Sequence, residues 1–225
     1  CNYWASNAGA EMWNNWDVDI VKNDIKVLSQ NGIKYLRVFP NWCHFQPVQS
    51  VLSSGGNLIE YRLVNDVIPD NPYYLDRKML DRFKCFCSIC DKYNVKIIVS
   101  LLTGWMSGRL FIPPVLHEKN LICDTVAIYF EQLFLQGFVS ELKNENSIMA
   151  WDIGNECNCM YPALTYEHAA VWTKTMADAI KTTDSTRPII SGVHTLTPSR
   201  AESSWTISCQ ADNCDILVTH PYPFW

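Results

Sequence analysis

Short runs of consecutive apolar residues alternate along the chain with longer stretches in which apolar residues recur every three or four positions. The first pattern fits strands buried on both faces, the second fits helices with one face in a core. Residues 17–30 place Val18, Val21, Ile25 and Leu28 at helical spacing. Asn31-Gly32 then ends the helix, because glycine is free to take a positive φ. Further helices are expected over 76–94, 123–144 and 166–181, with a short one near 200–210. The expected strands are Tyr3-Trp4-Ala5 and residues 34–39, 95–102, 148–153, 187–191 and 215–219. Residues 40–75 read as a long irregular loop, with Gly55-Gly56 and prolines at 40, 47, 69 and 72. Residues 103–122 read as another, with Gly104, Gly108 and Pro113-Pro114.

Repeated strand–helix units with apolar strands imply a parallel sheet with helices outside it. The long loops follow strands and the short ones follow helices. That asymmetry fits a (β/α)8 barrel, whose active site is built from the loops at the C-terminal strand ends. A doubly wound sheet would carry a glycine-rich phosphate loop after its first strand, and Asn7-Ala8-Gly9-Ala10 does not supply one. The expected fold class is therefore α/β, a (β/α)8 TIM barrel incomplete in this chain. Residues 1–225 hold its first six units as one catalytic-barrel portion. Six strands alone would leave two parallel edges and one side of the core open. The remaining strands are expected either from a separate segment or from sequence beyond Trp225.

The 225 residues suffice for one substantial core, slightly short of the roughly 250 of a complete barrel. A net charge of -5 and the absence of a basic stripe argue against nucleic acid as a partner. No apolar run is long enough to span a membrane. The start at Cys1, without Met or a basic leader, reads as a processed or trimmed N-terminus. Ten cysteines are many for this length. Cys87-x-x-Cys90 lies in a helical pattern and has no second knuckle, so buried thiols are expected rather than a metal site. A bridge between Cys209 and Cys214 stays open for an oxidising compartment. Unpaired thiols and the lack of an Asn-x-Ser/Thr sequon favour a reducing cytosol, with secretion the alternative. No nucleotide, flavin or haem motif is present, so no cofactor is expected.

Candidate chemistry centres on Ile148-Met149-Ala150-Trp151-Asp152-Ile153-Gly154-Asn155-Glu156, an apolar strand that ends in an Asn-Glu pair. A carboxylate at the mouth of a buried strand is costly to desolvate unless it has a function there. The neighbouring Asn offers a donor and an acceptor, which suits a substrate with several hydroxyls. Three more motifs stand at strand ends: Asn2-Tyr3-Trp4, Leu36-Arg37-Val38-Phe39-Pro40 and His220-Pro221-Tyr222. Together the four motifs, in this order, resemble glycoside hydrolase family 5, of the clan A retaining β-glycosidases, near its mannan- and glucan-active members.

That resemblance covers essentially the whole chain and implies roles. Glu156 would be the general acid/base, first protonating the leaving oxygen and then deprotonating water. Asn155 would bond the sugar 2-hydroxyl. Arg37 would orient a nucleophile carboxylate. Tyr222 would bond the same carboxylate, and His220 would contact the substrate. Trp4, Trp42, Trp105 and Trp225, at strand ends or in the following loops, would stack on sugar rings. Gly104-Trp105 stands where many family members carry a His, so substrate recognition departs from theirs at this point. The family nucleophile is a Glu after the seventh strand, which lies beyond residue 225. Asp152 sits within the fourth strand, too close to Glu156 to oppose it across a sugar.

The resemblance thus implies a retaining hydrolase of β-mannosidic or β-glucosidic oligo- or polysaccharides. A non-catalytic carbohydrate-binding barrel, or an inactive fragment, is the alternative. A metal-dependent barrel hydrolase would need a His/Asp cluster at strand ends, and His220 alone clearly lies at one.

Overall fold

A computed structural model describes residues 1–64, 70–201 and 203–221. The chain enters α1 (Val18–Gln30), started by the Asp17 carboxylate, which accepts from the Asp19 and Ile20 amides and so satisfies two otherwise unpaired donors. Val21 and Ile25 fill the buried face of α1. β1 (Tyr35–Val38) is followed by a helical turn, α2 (Trp42–Phe45), and by an antiparallel hairpin of β2 (Val48–Leu52) and β3 (Leu58–Leu63). Next come α3 (Arg77–Lys92) and β4 (Lys96–Leu102), then a two-residue-per-strand hairpin, β5 (Trp105–Met106) and β6 (Arg109–Leu110). The chain continues through α4 (Thr125–Leu142), β7 (Ile148–Gly154), α5 (Tyr166–Lys181), β8 (Ile189–Ile190) and α6 (Ile207–Ala211).

The central sheet has the order β1-β4-β7-β8, all parallel, with helices intervening in sequence. Single bridges extend it at both edges, Asn2 onto Arg37 and Ile216 onto Ile190. Six parallel positions therefore occur in chain order, as the hydrophobic pattern implies. The outer ones are shorter than expected. At the first, only residues 1–3 lie along β1, because the chain folds back so that Ala5 bridges Gly9. At the last two, side chains substitute for ladder bonds. The Ile189 amide donates to the Asp215 carboxylate at 2.8 Å, and the Val218 amide to Ser191 Oγ at 3.1 Å. Both expected irregular loops also contain structure. Residues 40–75 hold α2 and the β2–β3 hairpin, and 103–122 hold the β5–β6 hairpin and a 3-10 turn over Pro114–Leu116.

One end of the core is a cluster of Trp13, Phe45, Phe83, Phe86 and Phe138, with neighbouring ring centroids 5.0–6.1 Å apart, mostly edge to face. Trp42 belongs to this interior. It is fully buried, and its indole N–H donates to Gln46 Oε1 at 2.7 Å. A ring with no accessible face cannot stack on a sugar, so Trp42 is a core residue and the expectation of substrate contact is corrected. Cys87 and Cys90 lie on the buried face of α3, as core thiols, and all ten cysteines are free. No described helix is long and apolar enough to cross a membrane.

A carboxyl is also locked between helices. Glu131 of α4 is completely buried and accepts from Trp172 Nε1 of α5 at 2.8 Å. Burial pushes its pKa well above the ordinary carboxylate range, and the Trp172 hydrogen bond only partly opposes this. A folded pKa raised above the unfolded one gives stability that is complete below the unfolded value of about 4.3 and is lost as pH rises toward the folded value. Gln does not titrate and keeps an acceptor for Trp172. Glu131→Gln should therefore gain on the wild type by about 1.4 kcal/mol per pH unit within that window. Urea denaturation between pH 4 and pH 8 measures this, and a gap that does not change with pH would refute the assignment.

Candidate functional site

β4 and β7 end side by side, and their last residues build the floor of the site. Leu102 pairs with Gly154, and the Asn155 amide donates to the Leu102 carbonyl at 3.3 Å. Gly154 is required by this approach, since a Cβ there would stand 2.4 Å from the Leu102 oxygen and 2.6 Å from Cys157 Sγ. Two residues on, Glu156 takes φ 52° and ψ 47°, a left-handed conformation that is uncommon outside glycine, Asn and Asp. Residues held in such conformations concentrate at functional sites.

Glu156 is 8% exposed and lines a cavity of about 550 Å³ at the C-terminal strand ends. Asn2, Arg37, Trp105, Met106, Ser107, Gly108, Asn155 and His220 complete the wall. Among the described residues two side chains engage the carboxyl, one on each oxygen. His220 Nδ1 lies 2.8 Å from Oε1, and Trp105 Nε1 donates to Oε2 at 3.1 Å. Among the described residues Glu156 is the one carboxylate that lines this cavity.

Arg37 underpins the floor. Nε donates to Asp152 Oδ2 at 2.8 Å and Nη2 lies 2.6 Å from the same oxygen. Nη1 donates to Asn155 Oδ1 at 2.9 Å, while Nη2 also reaches Ser100 Oγ at 2.9 Å and the Gly154 carbonyl at 3.1 Å. Asp152 is fully buried. Burial pushes its carboxyl up, and Arg37 and Ser100 act against that push. Asn155 is held at both ends of its amide, since Nδ2 donates to the Trp105 carbonyl at 2.9 Å.

Of the residues singled out in the sequence, Glu156, Asn155, Arg37, His220 and Trp105 come together around one cavity. Trp4 does not join them. It stacks on Phe39 at 5.1 Å and lines a separate groove with Tyr3, Ser6, Asn23 and Asp24, which corrects its expected place at this mouth. Tyr222 and Trp225 lie outside the described residues. Ser100 and Asp152 were not among the expected site residues, although each is a polar residue inside an otherwise apolar strand. Met106, Ser107 and Gly108 had only the glycine as a signal. The described residues hold no group of three or more His, Cys, Asp or Glu able to bind a metal.

Comparison with known proteins gives a consistent picture. The model of a family described as Cellulase (glycosyl hydrolase family 5) matches residues 4–225. Among solved structures, the exo-β-1,4-mannosidase Op5Man5 from Opitutaceae bacterium strain TAV5 is 27% identical with a TM-score of 0.72, over 86% of this chain and 31% of that one. A GH5_18 protein from Streptomyces cattleya in complex with Manb1-4GlcNAc is 20% identical with a TM-score of 0.77, over 95% of this chain and 48% of that one. The endo-1,4-β-mannanase from Rhizomucor miehei is 16% identical with a TM-score of 0.67, over 95% and 66%. The chain thus spans less than half the length of the first two. No curated protein matches the sequence.

Proposed function

The chain belongs to glycosyl hydrolase family 5, and on that premise we propose that it forms the acid/base half of a retaining β-glycosidase acting on β-mannosidic bonds. The observation that carries this reading is Glu156 at a parallel strand end, buried, in a left-handed conformation, with a hydrogen-bonding partner on each carboxyl oxygen. The likeness to an exo-β-1,4-mannosidase at 27% identity supports a mannoside over a glucoside.

In the first step a nucleophile carboxylate attacks C1 of the sugar and the C1–O bond to the leaving group breaks. Glu156 gives its proton to the departing oxygen. In the second step a water attacks C1, its proton passes to Glu156, and the nucleophile is released. Glu156 ends as it began. His220 Nδ1 can donate to Glu156 when the carboxyl is ionised and accept from it when it is protonated, so this contact is compatible with both steps. Asn155, braced between Arg37 and the Trp105 carbonyl, offers an amide edge fixed for a sugar hydroxyl. The nucleophile is assigned to a glutamate beyond residue 225, since among the described residues no second carboxylate faces the cavity.

The test uses the full-length protein carrying this sequence. It should hydrolyse aryl β-mannosides or β-1,4-mannooligosaccharides, and proton NMR should show the β-anomer of the released sugar before mutarotation. First appearance of the α-anomer would overturn the retaining mechanism. Sugar binding without turnover by the full-length protein would replace the enzyme with a carbohydrate-binding barrel.

A further inference from the structure

We propose that Trp105 is a positioning residue for the Glu156 carboxyl, biasing it toward the ionised form that the second step needs. This inference rests on the acid/base reading of Glu156 and goes beyond a stacking role for the ring. The indole N–H is a donor only, whereas the His220 ring nitrogen can donate or accept. Of the two described groups on the carboxyl, His220 can therefore follow the proton and Trp105 cannot. A donor on Oε2 strengthens when the carboxyl is charged and weakens when it is neutral, because hydrogen bonds to an ionised acceptor are roughly twice as strong.

The placement of the indole is built into the chain. Trp105 opens the β5–β6 hairpin, pairing with Leu110, while Met106 pairs with Arg109. The two turn residues, Ser107 and Gly108, both have positive φ, 50° and 79°, as a tight two-residue hairpin turn demands. Gly104 at the root lets the hairpin pack closely on Met160, since a Cβ there would lie 2.5 Å from Met160 Sδ. The Asn155 side chain then holds the Trp105 carbonyl, and the Trp105 side chain reaches back to the residue after Asn155. The loop is closed by two hydrogen bonds of opposite direction, so the hairpin and the Asn-Glu pair fix each other. Among the described residues the other ionisable groups near Glu156 are His220, Arg37 across the cavity floor, and Cys159, whose thiol is pushed up by burial and by Glu156 itself. None of them is a fixed donor on Oε2.

The experiment follows the Glu156 carboxyl directly. The full-length protein is labelled with glutamate carrying 13C at the side-chain carboxyl, the Glu156 resonance is assigned by its loss in Glu156→Gln, and its shift is recorded against pH. In Trp105→Phe, which keeps an aromatic ring and removes the N–H, the midpoint should rise by about one pH unit or more, the size expected for a lost hydrogen bond to a charged group. The alkaline limb of kcat/KM on an unactivated mannoside should move up with it. An unmoved midpoint in a variant that melts like the wild type would overturn the proposal, as would reduced turnover with unmoved limbs. If Trp105→Phe does not fold, Gly108→Ala is measured instead. It keeps the indole but strains the turn at φ 79°, and should shift the midpoint upward by less. No shift there would be equally decisive. The titration needs no turnover, so a wild type inactive on every β-mannoside would refute the hydrolase reading separately.

Discussion

Replacing Glu156 with Gln should lower kcat/KM on an unactivated β-mannoside by about 10²–10⁴-fold, the usual contribution of a general acid/base. The substitution is isosteric and preserves the local bonding. A Gln oxygen can still accept from Trp105 Nε1, and its amide can donate to His220 Nδ1, the groups that occupy Oε2 and Oε1 in the native site. What is lost is the transferable proton. An aryl mannoside with a strongly acidic phenol needs no proton to leave, so its first step should survive in the variant. The second step loses its base, so the glycosyl-enzyme should accumulate as a burst of phenol followed by slow turnover. Added azide, a nucleophile that needs no deprotonation, should restore turnover and give a β-mannosyl azide. Stopped-flow release of the phenol, with and without azide, measures all of this. Wild-type turnover of an unactivated oligosaccharide by Glu156→Gln would remove Glu156 from the role.

Much of this site is legible in the sequence because its pieces sit at the ends of the strongest hydrophobic runs. β4 and β7 are buried along nearly their whole length, and an Asn-Glu pair after such a run has few structural reasons to exist. The edges of the sheet are less legible. Residues 187–191 and 215–219 carry enough apolar character to read as strands, yet Asp215 and Ser191 take amides that a ladder would otherwise use. The β2–β3 hairpin was hidden for a different reason. Only Val48 and Leu63 are buried in its strands, so no one-sided alternation marks it. Trp42 shows the limit for aromatics, because nine tryptophans carry no label that separates a core ring from a binding ring. The Trp105 contact depends on a loop closing across 51 positions, which spacing alone does not encode.

Arg37→Ala should cost about 3–5 kcal/mol of stability at neutral pH, the usual result of removing one partner from a buried ion pair. The side chain of Asp152 is 1% exposed, and Arg37 is its cationic partner at 2.6 Å. Without the guanidinium, burial pushes the Asp152 carboxyl up with only Ser100 and the local backbone opposing it. The folded pKa then lies further above the unfolded value of about 3.9. By linkage the deficit against the wild type should be small near pH 4 and grow as pH rises toward 7. Adding Asp152→Asn should recover part of the loss at pH 7 and flatten this dependence. Catalysis should suffer as well, because Arg37 also holds Asn155 Oδ1, and Asn155 braces the Trp105 carbonyl. Turnover should therefore fall more than substrate binding, since a loosened floor still admits the sugar but no longer aligns it with Glu156. Urea midpoints at pH 4, 5.5 and 7, set beside kcat and KM at the pH optimum, separate the two effects. A deficit independent of pH would mean that Arg37 stabilises the floor by packing and hydrogen bonding rather than by neutralising Asp152.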